Sequence, residues 1–463
     1  MSHGDPSKYP PGPESGALQG IFSPFRRDPL TFLTGAAKKY GDIVGLRFLH
    51  YRTYFISHPD YIEDVLVKNS RKFIKGRVLQ ANKRLFGNGL LTSEGDFWLR
   101  QRRLAQPAFH RQRIASYADV MVRYSKELIA QWKDGEQRDA HQEMMQLTLQ
   151  IVGKTLFDAD VTADAREVGQ AITQLLDFSA DFRKLIFTPK WLPTPTNIQT
   201  ALAIRRLNKI VYRIIAERRK SRGDTGDLLS MLLSAQDEDG SRMNDLQLRD
   251  ETLTLFLAGY ETTANLLAWT WWLLANHPEV ENKLHRELET ILAGRTPTLD
   301  DLQKLRYTGN ILTESLRLYP PAWGMARLAI EDHEIAGFPV PAGTGVAIAQ
   351  WVVHRDPRWY DAPDEYRPER WEGDLQKRLP RFAYFPFGGG ARQCIGNTFA
   401  LMEATFVLAT IAQRFRLKVM ANQEITPLAS ITLRPRNGIQ VQLESRRRTT
   451  AENDPLTAVA NRS

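Results

Sequence analysis

The chain has 463 residues, of which 42% are hydrophobic and 25% charged, the balance of a globular protein with a sizeable core rather than of a disordered or membrane-embedded chain. Its net charge of +9 is spread along the sequence beside no nucleic-acid motif, which leaves anionic surfaces or acidic proteins as partners and argues against nucleic acid. A single cysteine excludes an intrachain disulfide framework and suits a reducing interior.

No linker, low-complexity run or internal repeat divides the sequence. We therefore expect one large domain over residues 17–445, mainly α with a small β region. A flexible Pro/Gly-rich stretch (1–16) precedes it, and a disordered basic and polar tail (446–463), opening with Arg446, Arg447 and Arg448, follows. The start lacks the apolar core of a signal peptide, and no apolar run reaches the roughly 20 residues of a bilayer span. The expectation is a soluble, cytoplasmic monomer with no integral membrane segment.

In chain order, residues 30–40 read as a short helix ended by Gly41. Strands near 44–48 and 53–57 make a hairpin, whose Tyr51, Arg52 and Tyr54 we read as solvated hairpin residues rather than the edge of an entrance. Residues 72–97 are loop-rich. Trp98 and Arg102, four apart on a helix, share a face. Amphipathic helices follow at about 114–132, 142–156, 164–183 and 201–221, the last two bracketing a proline-interrupted apolar segment (185–199).

A long helical pattern covers 244–276. In its middle stands Ala258-Gly259-Tyr260-Glu261-Thr262-Thr263, where a glycine costs about 1 kcal/mol relative to alanine and a threonine hydroxyl competes for helix carbonyls. Those polar groups in an apolar mid-helix are expensive for packing alone. Glu314 and Arg317, three apart on a helix, pair on one face, and Pro368-Glu369-Arg370-Trp371 lies downstream. His354 reads as structural. Last comes Phe387-Gly388-Gly389-Gly390-Ala391-Arg392-Gln393-Cys394-Ile395-Gly396, then a helix over 397–412. A cation two residues before the cysteine and a helix start just after it favour a thiolate.

The spacing Phe-x-x-Gly-x-Arg-x-Cys-x-Gly resembles the haem-binding loop of the cytochrome P450 family without a substitution. The Trp-x-x-x-Arg, Ala-Gly-x-Glu-Thr-Thr, Glu-x-x-Arg and Pro-Glu-Arg elements stand in that family's order across about residues 10–443. The resemblance implies the P450 fold, a single domain with a long central helix over haem b (iron protoporphyrin IX). It makes Cys394 the iron ligand, whose thiolate pushes electron density toward oxygen, and packs Phe387 near it. Trp98, Arg102, Arg327 and Arg392 hold haem propionates, and Gly396 closes the cofactor loop. Thr262 orders water at the reduced oxygen, and Glu261 links the site to solvent protons. Glu314, Arg317 and Arg370 form a buried network supporting the haem loop, with Trp371 where phenylalanine is commoner. The 185–199 segment corresponds to a lid.

By the same resemblance, substrate meets Leu255, Phe256, Ala258, Trp323, Met325 and Ile431, an apolar set that argues for a hydrophobic molecule. The function implied is a haem-thiolate monooxygenase using dioxygen and two external electrons, with a fatty acid or related lipid as the first choice of substrate and a terpenoid or steroid next. A peroxide-driven peroxygenase and a non-catalytic haem gas-binding protein are the other readings. Electrons come from a ferredoxin or flavodoxin-like partner with its NAD(P)H reductase, drawn to basic residues near Cys394.

Overall fold

A computed structural model describes residues 9–13, 22–48, 51–161, 169, 171, 175, 193–220, 227–236, 240 and 242–446. Most of the expected 1–16 stretch, most of the 164–183 helix, the 185–192 part of the lid segment and the 447–463 tail lie outside the described residues.

Helix α1 (Pro29–Tyr40) starts where the Asp28 carboxylate accepts the backbone N–H groups of Leu30 and Thr31, both at 3.1 Å, the usual remedy for orphan amides at a helix start. Strands β1 (Ile43–Phe48) and β2 (Tyr51–Ile56) form the expected hairpin. The stretch read as loop-rich carries β3 (Phe73–Lys75) and two short helices, Arg77–Ala81 and Lys83–Phe86, ahead of α2 (Gly95–Ala105). The single helix expected over 114–132 is two, Arg111–Ser116 and α3 (Ala118–Ala130). Next come β4 (Gln137–Asp139), α4 (Ala140–Phe157) and α5 (Pro195–Lys220). Helix α5 begins earlier than its periodicity showed, because a proline in the first turn starts a helix without costing it a hydrogen bond.

The rest of the core is α6 (Asp245–Asn276), α7 (Pro278–Leu292), α8 (Arg306–Leu318), β5 (Met325–Ala329), β6 (Gly345–Ile348), α9 (Asn397–Ala412), β7 (Phe415–Val419) and β8 (Gln440–Ser445). One sheet runs in the order β1-β2-β6-β5-β3, with only the β2–β6 pair parallel, and another runs β4-β8-β7. Helices therefore dominate and the sheets are small, as expected.

Helix α6 spans 32 residues, about 48 Å at 1.5 Å per residue, and opens with a capping box between Asn244 and Gln247. It is buried on nearly every face, the mark of a central helix. It runs unbroken through the glycine and threonines of its middle. Gly259 serves contact instead of a kink: a Cβ there would lie 3.1 Å from Val152 on α4.

Glu314 on α8 has no solvent exposure. Its Oε1 accepts from Arg317 Nη2 at 2.8 Å, Arg370 Nε at 2.8 Å and the Arg367 backbone N–H at 3.1 Å. Its Oε2 accepts from Arg317 Nε at 2.9 Å and Trp371 Nε1 at 2.8 Å. Tryptophan in place of phenylalanine thus contributes a donor. Arg317 also donates to the carbonyl of His354 at 2.8 Å. The His354 ring, itself fully buried, accepts the Phe385 backbone N–H at Nε2 over 3.0 Å.

That acceptor role requires neutral imidazole. Burial, reinforced by the Arg317 and Arg355 charges, pushes His354 down to about 3 from its ordinary 6.5. Between those pH values the unfolded chain binds a proton here and the folded one does not, so stability is complete above 6.5 and is lost as pH falls toward 3. The loss runs at up to about 1.4 kcal/mol per pH unit. In denaturant titrations across this window, His354→Gln, which keeps an acceptor and cannot titrate, is expected to show a shallower acid slope than the wild type; equal slopes would dismiss the assignment.

Candidate active site

The loop before α9 is shaped by its own backbone. Gly388 N–H donates to Phe385 O at 2.9 Å, Gln393 N–H to Gly390 O at 3.1 Å and Cys394 N–H to Phe387 O at 2.9 Å. Gly390 has φ +68°, and a Cβ there would sit 2.0 Å from the Leu66 carbonyl oxygen, so no other residue fits.

The Cys394 thiol opens onto a cavity of about 750 Å³. Its exposure is to this cavity, and the protein packed behind it desolvates the sulfur, pushing the thiol above its usual range. The Gly396 backbone and the Arg102 guanidinium act in the opposite direction. Arg102 Nη1 also donates to Gln393 O at 2.9 Å. A thiol held so becomes a thiolate when a metal takes it.

The same cavity is lined by Ala258, Glu261 and Thr262 of α6, by Trp98 and Arg102 of α2, by Arg327, and by Phe387, Arg392 and Gly396. Leu255, Trp323, Met325 and Ile431 complete its apolar wall. Every expected cofactor, metal and catalytic position is therefore brought to one place. The exception among the pocket residues is Phe256, which does not line the cavity. It is buried against Phe157 and Tyr260, with ring centroids 5.7 and 6.0 Å away, because it projects toward α4. A second correction concerns the hairpin: Tyr51 and Arg52 do line the cavity, Arg52 lying over the Tyr9 ring and Arg77 over Tyr51 at 4.2 and 4.6 Å. Tyr54 is buried, its hydroxyl donating to Pro339 O at 2.9 Å.

Thr262 Oγ1 donates to the Ala258 carbonyl at 2.8 Å. Glu261 is buried, and its Oε1 accepts the Thr432 hydroxyl at 2.5 Å.

Two further residues escaped sequence reasoning. Lys75 on β3 stands directly opposite Arg327 on β5 in the antiparallel register, and both line the cavity. Like charges so placed repel. Burial, followed by the Arg327 and Arg392 charges, lowers Lys75 to about 7, and burial with Arg392 lowers Arg327 to about 10. Glu94 is the carboxylate set against the three: it accepts the Lys75 backbone N–H at 2.7 Å and pairs with Arg392. Arg392 also donates to Ser93 O at 2.8 Å and lies 3.9 Å from the centre of the Trp98 ring. The signal for Lys75 lay in strand register, which a three-residue strand does not advertise.

An excess of desolvated cations beside a metal-seeking thiol fits a flat prosthetic group that carries both a metal and carboxylates. Haem is such a group: Cys394 would take its iron, and Lys75, Arg102, Arg327 and Arg392 its propionates.

A family model described as Cytochrome P450 matches residues 10–443. Cyclooctat-9-en-7-ol 5-monooxygenase of Streptomyces melanosporofaciens is 39% identical over 411 residues, covering 88% of this chain and 89% of that protein. Cyclooctatin synthase of the same organism is 38% identical, with 88% and 89% covered. Pentalenene oxygenase of Streptomyces avermitilis is 37% identical over 425 residues, with 91% and 94% covered.

Lys75→Met separates the cost of the cation cluster from its use. Without bound anion the variant is expected to be more stable than the wild type by up to about 1 kcal/mol, since a like-charge pair is relieved. Loaded with haem, it is expected to release the group faster to an acceptor protein. Loss of stability in the apoprotein, or unchanged haem release, would count against the pairing.

Proposed function

This chain belongs to the cytochrome P450 family and is a monooxygenase of that family, and we propose that its substrate is a hydrophobic terpenoid. The haem supplies the redox chemistry, placing one atom of dioxygen in a C–H or C=C bond and reducing the other to water with two electrons. The chain's own residues bind, orient and move protons. The observation carrying this reading is that the thiol of Cys394 and the hydroxyl of Thr262 open onto one apolar cavity walled with cations.

With its proton committed to the Ala258 carbonyl, the Thr262 oxygen keeps lone pairs that accept from a water or a protonated oxygen in the cavity. Glu261, beside it in sequence, is the carboxylate that exchanges protons with this relay. Its Oε1 accepts the Thr432 hydroxyl, a bond that orients the carboxylate without using all of its acceptor sites. Leu255, Ala258, Trp323, Met325 and Ile431 shape the substrate and exclude water. Trp98, Arg102, Arg327, Arg392 and Lys75 fix the propionates, and Phe387 and Gly396 set the thiolate's surroundings.

The apolar lining implies a hydrophobic substrate, and the family resemblance puts fatty acids first. The names of the relatives, an oxygenase of pentalenene and a monooxygenase of cyclooctat-9-en-7-ol, favour terpenoids instead. Electrons come from a separate ferredoxin or flavodoxin-like protein. Arg103, exposed on α2 one residue beyond Arg102, is among the cations that would meet its acidic face.

Optical titration of the ferric protein with cyclic terpenes, steroids and fatty acids of increasing length tests the substrate. A saturable Soret shift with a cyclic terpene is expected. A shift confined to fatty acids would return the function to them, and absence of a Soret band in purified protein would refute the role of Cys394. In turnover with an external reductase, Thr262→Ala is expected to consume NAD(P)H at a comparable rate while releasing more peroxide and several-fold less product. Unchanged coupling would remove Thr262 from the proton relay.

A further inference from the structure

The first half of α6 carries an arrangement that the chemistry above does not use. Arg249, Asp250 and Glu251 are all buried there. Buried carboxylates are costly unless engaged, and both reach the backbone of one segment. Asp250 Oδ2 accepts the Asn88 N–H at 2.7 Å, and Glu251 Oε2 accepts the Leu90 N–H at 2.9 Å. The segment is built to lie this close. A Cβ on Gly87, whose φ is +62°, would fall 2.0 Å from the Asp250 carboxyl carbon, and one on Gly89 would fall 2.3 Å from Thr254 Oγ1.

What the carboxylates hold is cavity wall: Leu90 and Leu91 of this segment line the cavity, as do Phe86 just before it and Thr254 and Leu255 of α6. The hold extends to another helix. Asp250 Oδ1 accepts from Arg249 Nη1 at 2.6 Å, and Arg249 Nε donates to Asn208 Oδ1 on α5 at 2.8 Å. A chain of hydrogen bonds therefore runs from α5 to a loop of the cavity 120 residues earlier in sequence, given by positions 208 and 88.

We propose that Asp250 and Glu251 form a latch that holds the 87–92 segment in place as a wall of the substrate cavity and, through Arg249 and Asn208, makes that wall answer to the position of α5. They are positioning residues: neither lines the cavity, and they act through the segment they hold. Burial, with Asp250 adding to it, pushes the Glu251 carboxyl up to about 8, consistent with a group kept for its geometry rather than its charge. The inference rests on the reading of the cavity as the substrate site.

The test uses haem-loaded wild type, Glu251→Leu, Glu251→Gln and Asn208→Ala, read by amide hydrogen exchange over 87–92 and by optical titration with two probes, imidazole and a bulky triphenylmethyl-substituted imidazole. Leucine removes the acceptor, so exchange over 87–92 is expected to rise about tenfold and the bulky probe to bind about tenfold more weakly, while imidazole, too small to touch the wall, binds as before. Glutamine keeps the acceptor and is expected to restore both. Asn208→Ala leaves both carboxylates in place and is expected to raise exchange over 87–92 about threefold. Wild-type exchange in Glu251→Leu overturns the latch, as does an equal loss of affinity for the two probes, which reports general damage. Should Glu251→Leu not load haem, unchanged exchange over 87–92 in Asn208→Ala overturns it. A wild type that shifts with neither probe would refute the haem reading instead, and the exchange arm would still decide the latch.

Discussion

The carboxylate of Glu314 is the constraint on which the site depends. Burial pushes its pKa up, yet bonds and charges from Arg317 and Arg370 more than offset that and hold it below its usual range, so it is ionised in the middle of the protein. A buried ion pair is weak evidence for stability, because desolvation consumes most of the attraction; removing one partner nonetheless costs about 3–5 kcal/mol by stranding the other. What the pair contributes here is position. Arg317 spends its remaining donors on the carbonyls of His354, Pro363 and Glu365. His354 then accepts from Phe385, whose carbonyl accepts from Gly388, while the Phe387 carbonyl accepts from Cys394. The place of the thiol is thus traceable through hydrogen bonds and a few covalent links to one carboxylate on α8.

The electrostatics around the cavity run the other way: there the fold holds charges it does not balance. Lys75 and Arg327 face each other across two strands, Arg392 adds a third cation, and among the described residues Glu94 is the carboxylate that answers them. Folding such a site without its ligand is unfavourable, and an anionic ligand returns that energy on binding, since whatever binds only the folded state stabilises it by mass action. Glu314 and the cation cluster therefore divide the work. One is satisfied within the chain and fixes geometry; the other carries an excess of positive charge that an anionic cofactor would offset.

This division explains what could be read in the sequence. The cysteine loop, the mid-helix threonines and the Glu-x-x-Arg pair are local, with their spacing set by one turn or one loop; the first two line one cavity and the last forms a buried pair. Lys75 was invisible because its partner, Arg327, lies in another strand, and a strand of three residues has no periodicity from which to read a register. Trp371 looked like a departure from pattern and proves to be a donor to Glu314. Phe256 falls on the other face for a physical reason: α6 is buried on nearly every side, so the pattern of apolar residues around it carries no signal of which side meets the cavity. The hairpin residues Tyr51 and Arg52 failed similarly, since polarity says nothing about whether a solvated edge borders bulk water or a cavity mouth.

The same burial of α6 makes the contacts of its polar groups informative. A buried polar group is stabilised where a neighbour bonds it, and the neighbours that do so along α6 are distinct. The loop at 88–90 meets Asp250 and Glu251. Thr148 of α4 donates to the Tyr260 carbonyl at 2.9 Å, Thr432 meets Glu261, and Trp269 donates to Leu433 O at 3.1 Å while stacking on Tyr319 with centroids 4.3 Å apart. Together these contacts, from Asp250 to Trp269, pin the helix in both rotation and height. Thr262 takes part in none of them: among the described residues its side chain bonds to its own helix, at Ala258. The hydroxyl is therefore aimed into the cavity by interactions made elsewhere along the helix, which leaves its oxygen available for chemistry.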